Sequence, residues 1–211
     1  DGRKLADIEV ADIHKYLDQP DCFVWVALVE PNAVALEQMQ VEFNLHPLAV
    51  EDAARLIRVG DLAGVAVLCR LPSKDPHLAK TLLDAGSAGI IVPMIESAEE
   101  ARRAVESAYY PPKGRRGVGL GRAHAYGARF EEYRRRVAED GLVVIAMIET
   151  AAGVENAEAI AATEGIDGIL IGPYDLSGSL GQVGQLSHPL VEAAKGRVLE
   201  ATKRFKIGLG L

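Results

Sequence analysis

Two carboxylic acids stand just past long apolar runs: Glu149 closes Leu142-Val-Val-Ile-Ala-Met-Ile148, and Asp175 follows Gly168-Ile-Leu-Ile-Gly-Pro-Tyr174. If both runs are strands, the acids converge at the strand ends and make a hard-cation site. Oxygen ligands favour Mg²⁺ or Mn²⁺, with Co²⁺ as a further candidate. Such a site suits metal-assisted chemistry on an oxygen-rich substrate. Arg70 ends another apolar run, Val65-Ala-Val-Leu-Cys69, and brings a permanent positive charge to the same level. Taken singly, each acid could equally be a helix cap or a loop residue, and Arg70 could pair with any surface acid for ~0–1 kcal/mol.

The elements that must position these residues repeat. From Gly64 onward an apolar run is followed by a turn, an amphipathic stretch, a glycine and the next run: Val65–Cys69, Gly89-Ile-Ile-Val-Pro-Met94, Leu142–Ile148, Gly168–Ile171 and Ile207-Gly-Leu-Gly-Leu211. Each run has the length of a strand and the β-branched, aliphatic content of a parallel strand buried on both faces. Between the first two, Asp75 caps a helix, Pro76 fits its first turn, Leu78, Leu82 and Leu83 form its stripe, and Gly86 stops it. Ser97-Ala-Glu-Glu100 opens the next helix as a capping box, and Pro111-Pro112 ends it. Alternating βα units build either a barrel or an open doubly wound sheet. Arg70, Pro93-Met94, Glu149 and Asp175 follow successive strands, which favours an α/β barrel with its chemistry on the C-terminal rim. An open sheet would gather that chemistry at one switch point.

Composition narrows the partners. The 211 residues are 49% apolar and 5% aromatic with a formal charge of −7, the profile of an acidic α/β domain without the basic surface of a nucleic-acid binder. No run approaches the ~18–20 apolar residues of a membrane span, and no basic-then-apolar signal opens the chain. Cys22 and Cys69 are too few and too far apart for a disulfide framework or a metal knuckle, so the expected setting is a reducing cytoplasm, with Cys69 an inert core thiol. Gly114, Gly117, Gly119 and Gly121 lack the preceding strand and following lysine of a phosphate loop; they read as a mobile loop over the rim, with His124 solvated on it. His188 before Pro189 reads as a turn or helix-start residue.

Six segments, Leu71-Pro-Ser-Lys-Asp-Pro76, Asp84-Ala-Gly86, Gly89-Ile-Ile-Val-Pro-Met94, Tyr110-Pro-Pro-Lys-Gly-Arg-Arg-Gly117, Ile148-Glu-Thr150 and Gly172-Pro-Tyr-Asp-Leu-Ser177, together resemble the HpcH/HpaI aldolase family over residues 54–211. These are class II pyruvate aldolases related to citrate lyase β subunits. The resemblance implies an oligomeric TIM barrel that cleaves 4-hydroxy-2-oxo acids to pyruvate and an aldehyde through a metal-stabilised enolate. It makes Glu149 and Asp175 the metal ligands and has Arg70 hold the 2-oxo oxygen as charge develops there. Backbone amides around Gly172, Pro173, Tyr174 and Asp175 would seat the substrate carboxylate. Asp84 would reach across a subunit interface toward the catalytic histidine, or else be a solvated helix residue.

The first 53 residues read differently. Phe23-Val-Trp-Val-Ala-Leu-Val-Glu-Pro31 and Glu42-Phe-Asn-Leu-His-Pro-Leu-Ala-Val-Glu-Asp-Ala53 resemble the opening of the cytoplasmic domain of CorA-type magnesium transporters, without that family's pore helices or Gly-Met-Asn signature. The same stretch would have to supply the first two βα units of a barrel, with strands at Phe23–Val29 and Val41–Leu45 and the second helix over Ala49–Gly60. In that case His46 is the catalytic base. Leu45 departs from the aldolase pattern, which has an acid before the histidine, and Pro47 stands where a small residue is usual. The chain stops near the family's seventh strand, so the expectation is an open barrel with unpaired edges, at least a dimer, in a recombined, truncated or engineered chain. Against the aldolase reading stands a catalytically silent α/β scaffold that keeps the metal pocket but lacks a base.

Overall fold

A computed structural model describes residues 53–139 and 141–211. The assignments of His46, of the first two barrel units and of the transporter-like segment lie outside the described residues. The chain forms two compact units divided between Ala66 and Val67. To the first belongs helix α1 (Ala53–Ala63), which turns out at Gly64 through a left-handed φ of 70°.

The second unit alternates strand and helix. Its strands are β1 (Leu68–Arg70), β2 (Gly89–Val92), β3 (Val143–Ile148), β4 (Gly168–Ile171) and β5 (Gly208–Gly210); its helices are α2 (Pro76–Ala85), α3 (Ala98–Ala108), α4 (Phe130–Glu139), α5 (Ala151–Glu155), α6 (Ala157–Ala161), α7 (Pro173–Ser179) and α8 (Pro189–Phe205). All neighbouring strands are parallel, and the sheet order is the sequence order, β1-β2-β3-β4-β5. A doubly wound sheet reverses its order at a switch point. This one never does, so the unit is a run of βα repeats in barrel order. Among the described residues no helix is long and apolar enough to cross a membrane.

Local chemistry accounts for the helix ends. Asp75 accepts from the His77 amide at 2.9 Å, Pro76 occupies the first turn and Gly86 closes α2 at φ 109°, the N-terminal proline and C-terminal glycine arrangement that backbone sterics favour. Ser97 caps α3 by accepting from the Glu100 amide at 3.2 Å. The other half of the expected capping box is absent, because the Glu100 carboxylate accepts from the Glu96 amide at 2.8 Å and pairs with Lys74. His188 caps α8, Nδ1 accepting from the Leu190 amide at 3.3 Å.

The core lies between the sheet and its helices. Ile90, Val92, Val144, Ala146, Ile148, Ile169 and Ile171 are buried with Leu83 of α2, Ala104 and Val105 of α3, Val137 of α4 and Val198 of α8. Each fully buried Ile or Leu contributes about 1.5–3 kcal/mol. Contrary to the expectation of strands buried on both faces, β3 alternates: Val144, Ala146 and Ile148 are buried, whereas Val143 is exposed and Ile145 and Met147 are half-buried. β2, in contrast, is buried along its whole length and β4 at three of its four residues, as that expectation has it. The register aligns Leu68, Gly89 and Val143 across β1, β2 and β3, and Ile145, Gly168 and Gly208 across β3, β4 and β5. Continued with period two, it puts Arg70, Glu149 and Gly172 on one face, opposite Val144, Ala146 and Ile148. Gly89 lets β2 approach β3, since a Cβ there would sit 2.1 Å from the Val143 carbonyl oxygen. Cys69 is half-buried in β1, and burial raises its thiol pKa, which leaves little reactive thiolate.

Candidate active site

Parallel strands deliver their C-terminal ends to one rim, and the residues that follow them meet there. Glu149, one residue past β3, has a side chain only 1% exposed. Its Oε2 accepts from the Met94 amide at 2.8 Å. Its Oε1 is buried without a hydrogen-bond partner, and the Arg70 guanidinium stands 3.8 Å away, beyond hydrogen-bond reach. Gly172 makes room for this carboxylate: a Cβ there would lie 2.7 Å from Glu149 Cγ and 2.8 Å from Oε1.

Burial raises the pKa of Glu149; the Met94 amide and Arg70 oppose the shift, and the neighbouring Asp175 carboxylate adds to it. Asp175, in the first turn of α7, is exposed. An ionised carboxylate with one buried, unpartnered oxygen, next to a second carboxylate, is costly in a protein alone. A divalent cation relieves that cost, so the donor set fits one. Among the described residues no third His, Cys, Asp or Glu joins the two. The remaining positions would fall to substrate and water, as is common for Mg²⁺.

The pH dependence follows from the sign of the shift. Because the folded pKa of Glu149 lies above its unfolded value, its contribution to metal-free stability is fully present below the ordinary carboxylate range of ~4.3. It is lost as pH rises through the folded value. Stabilisation by added Mg²⁺ should therefore grow across that interval, and Glu149→Gln should flatten it. Thermal unfolding with and without Mg²⁺ at several pH values checks this; a metal effect independent of both pH and Glu149 would contradict it.

The other candidates divide. Tyr174 is exposed and Pro173 half-buried at the start of α7. The Gly172 amide donates to the Ile148 carbonyl at 3.1 Å, and proline has no N–H, so the first-turn amides of Tyr174 and Asp175 remain to meet a carboxylate. Asp84 is not solvated. It lies at the end of α2, which runs back from the rim to the start of β2, and it accepts from Arg116 at 2.6 Å and from Lys80.

The glycine-rich segment corrects the sequence reading. It packs at the end of the sheet opposite the rim, where Gly121 approaches Asp84 so closely that a Cβ would fall 2.5 Å from the Asp84 carbonyl oxygen. Tyr109 anchors the same end, its hydroxyl bonded to both the amide and the carbonyl of Leu142 at 3.0 Å. His124 is 1% exposed, not solvated. Its ring packs edge-on to Phe130 at 5.2 Å, and Nδ1 accepts from the Gly127 amide at 3.0 Å. Nε2 lies 2.7 Å from the Gly119 carbonyl oxygen and 3.3 Å from the Gly121 amide. The aromatic neighbours lie on α4, several residues on, where the glycine spacing gave no hint of them.

Met94 is the site residue that sequence reasoning missed. It adopts φ 56°, a left-handed conformation that costs a residue with a side chain ~1–3 kcal/mol. Its contribution is a backbone N–H, which residue type cannot reveal. Pro93-Met94 at a strand end was the available signal.

Comparison with known proteins places the chain in a family. The curated relatives include a hydroxypyruvate/pyruvate aldolase of Chromohalobacter salexigens, 45% identical over 139 residues that make up 65% of this chain and 54% of the relative. A 5-keto-4-deoxy-D-glucarate aldolase of Klebsiella pneumoniae is 39% identical over 140 residues, 66% of this chain and 54% of the relative. The chain thus spans about half the length of these relatives. A solved HpcH/HpaI aldolase/citrate lyase family protein of Burkholderia cenocepacia superposes with a TM-score of 0.70 at 38% identity, covering 74% of this chain and 63% of that one. Residues 47–210 match the family model itself, and the chain belongs to the HpcH/HpaI aldolase/citrate lyase family.

Proposed function

We propose that this chain carries the metal-binding portion of a class II pyruvate aldolase, a carbon–carbon lyase that cleaves 4-hydroxy-2-oxo acids to pyruvate and an aldehyde. The observation that carries the reading is the buried, unpartnered Oε1 of Glu149 between Arg70 and Asp175. The aldolase names of its relatives support it.

Glu149 and Asp175 would hold the divalent metal, Mg²⁺, Mn²⁺ or Co²⁺. When bound, it supplies Lewis acidity toward the oxygens of a 2-oxo acid. Arg70 directs a permanently charged guanidinium at the oxygen where negative charge develops. The Tyr174 and Asp175 amides orient the substrate carboxylate, and Gly172 keeps the floor of the site open. His46 takes the proton of the 4-hydroxyl, the general-base role that an imidazole most often fills. Assembly into at least a dimer belongs to the same reading.

Pyruvate release from a 4-hydroxy-2-oxo acid, coupled to lactate dehydrogenase, tests it. Turnover should require Mg²⁺, Mn²⁺ or Co²⁺ and vanish on chelation. Turnover unaffected by exhaustive chelation would refute the metal-dependent mechanism. Metal-dependent pyruvate binding without any turnover would instead favour the silent scaffold.

A further inference from the structure

We propose that Lys74 is a positioning residue for Glu149, acting through the Met94 peptide; the inference rests on the metal-binding reading above. After β2 the chain turns through Met94 at φ 56°, a conformation that residues with a side chain hold only when their surroundings impose it. Three hydrogen bonds do so. The Met94 amide donates to Glu149 Oε2 at 2.8 Å, the next amide, of Ile95, donates to the Met147 carbonyl at 3.0 Å, and the Met94 carbonyl accepts from Lys74 Nζ at 3.1 Å.

Two of the three come from β3 and its end. The third comes from a side chain in the loop after β1, and it can be removed by substitution without touching Glu149 itself. Lys74 is itself aimed, since its ammonium pairs with Glu100 Oε1 at 2.6 Å while Glu100 Oε2 accepts from the Glu96 amide at 2.8 Å. Glu96 in turn accepts from the Thr150 hydroxyl at 2.8 Å, directly after Glu149. The loops after β1, β2 and β3 are thereby tied into one frame around the carboxylate.

What this frame fixes is the orientation of Glu149. Among the described residues the Met94 amide is its hydrogen-bond donor, Oε1 having no partner and Arg70 standing 3.8 Å away. If the Met94 peptide rotates, the Glu149 carboxylate loses its reference and Oε1 no longer points at one place. Outer partners of this kind typically change metal affinity by about 10–100-fold when removed. A merely structural Lys74 would do much less, because a partly exposed ion pair such as Lys74–Glu100 contributes little to stability.

The test titrates Mn²⁺ alone into the metal-free 211-residue chain by calorimetry, with free Mn²⁺ followed by electron paramagnetic resonance. Lys74→Met, which keeps the stem and removes the ammonium, should weaken Mn²⁺ binding by roughly tenfold or more with almost no change in metal-free thermal midpoint. Lys74→Arg, which retains a donor, should keep most of the affinity. Glu149-dependent Mn²⁺ binding that is the same in wild type and Lys74→Met overturns the positioning role alone. Wild type and Glu149→Ala binding Mn²⁺ equally would overturn the metal reading, and this inference with it.

Discussion

The Glu149→Ala, Asp175→Ala double variant is expected to lose metal-dependent pyruvate binding altogether, and retro-aldol turnover with it. Among the described residues no group of three or more His, Cys, Asp or Glu stands ready to hold the ion in their place. The two single variants should differ. Asp175 is exposed, and its removal leaves the buried Glu149 oxygen available. Removing Glu149 takes away the proposed ligand, the carboxylate that the Met94 amide holds, and leaves that amide unpaired. Its effect should be the larger. Calorimetric titration of pyruvate or oxalate in the presence of Mn²⁺ provides the measurement, and undiminished binding in the double variant would sink the site assignment.

Much of this arrangement was legible in the chain because its signals are local. The five apolar runs became the five strands, and Asp75, Pro76 and Gly86 bound α2 where their backbone preferences place them. The rim residues were readable for a related reason: a residue directly after a buried parallel strand has little choice of position. The glycine-rich segment was not legible. Glycines license close approach without saying to what, and here the partner is the backbone of Asp84, more than thirty residues earlier. His124 failed likewise, since Phe130 and Tyr133 enclose it only once α4 has packed. Met94 shows a third limit: a peptide N–H that bonds a buried carboxylate carries no side-chain signature. Composition could not give the alternation along β3 either, because an aliphatic run looks the same whether one of its faces is buried or both.

Asp84 carries the second large expectation, this time for stability. Its partner Arg116 has a fully buried side chain, held by Asp84 at 2.6 Å and the Tyr133 hydroxyl at 3.2 Å and lying 4.7 Å over the Tyr110 ring. Asp84→Ala strands that guanidinium, and breaking a buried pair from one side typically costs about 3–5 kcal/mol. At roughly 2–4 °C per kcal/mol for a chain of this size, the thermal midpoint should fall by something on the order of 10 °C. Lys80, the other partner, is half-exposed and can turn to water, so it adds little. Asp84→Asn keeps an acceptor for Arg116 and should lose less. The informative variant removes both charges: in Asp84→Ala, Arg116→Met most of the loss should return, because a buried ion pair replaced by apolar groups of similar size is often neutral. Thermal and urea unfolding of the three variants decide the matter. If Asp84→Ala melts with wild type while turnover collapses, the pair is not structural and Asp84 serves the chemistry instead. If stability falls as expected and Asp84→Asn keeps its turnover, the acid belongs to the anchor that holds the glycine-rich segment against α2.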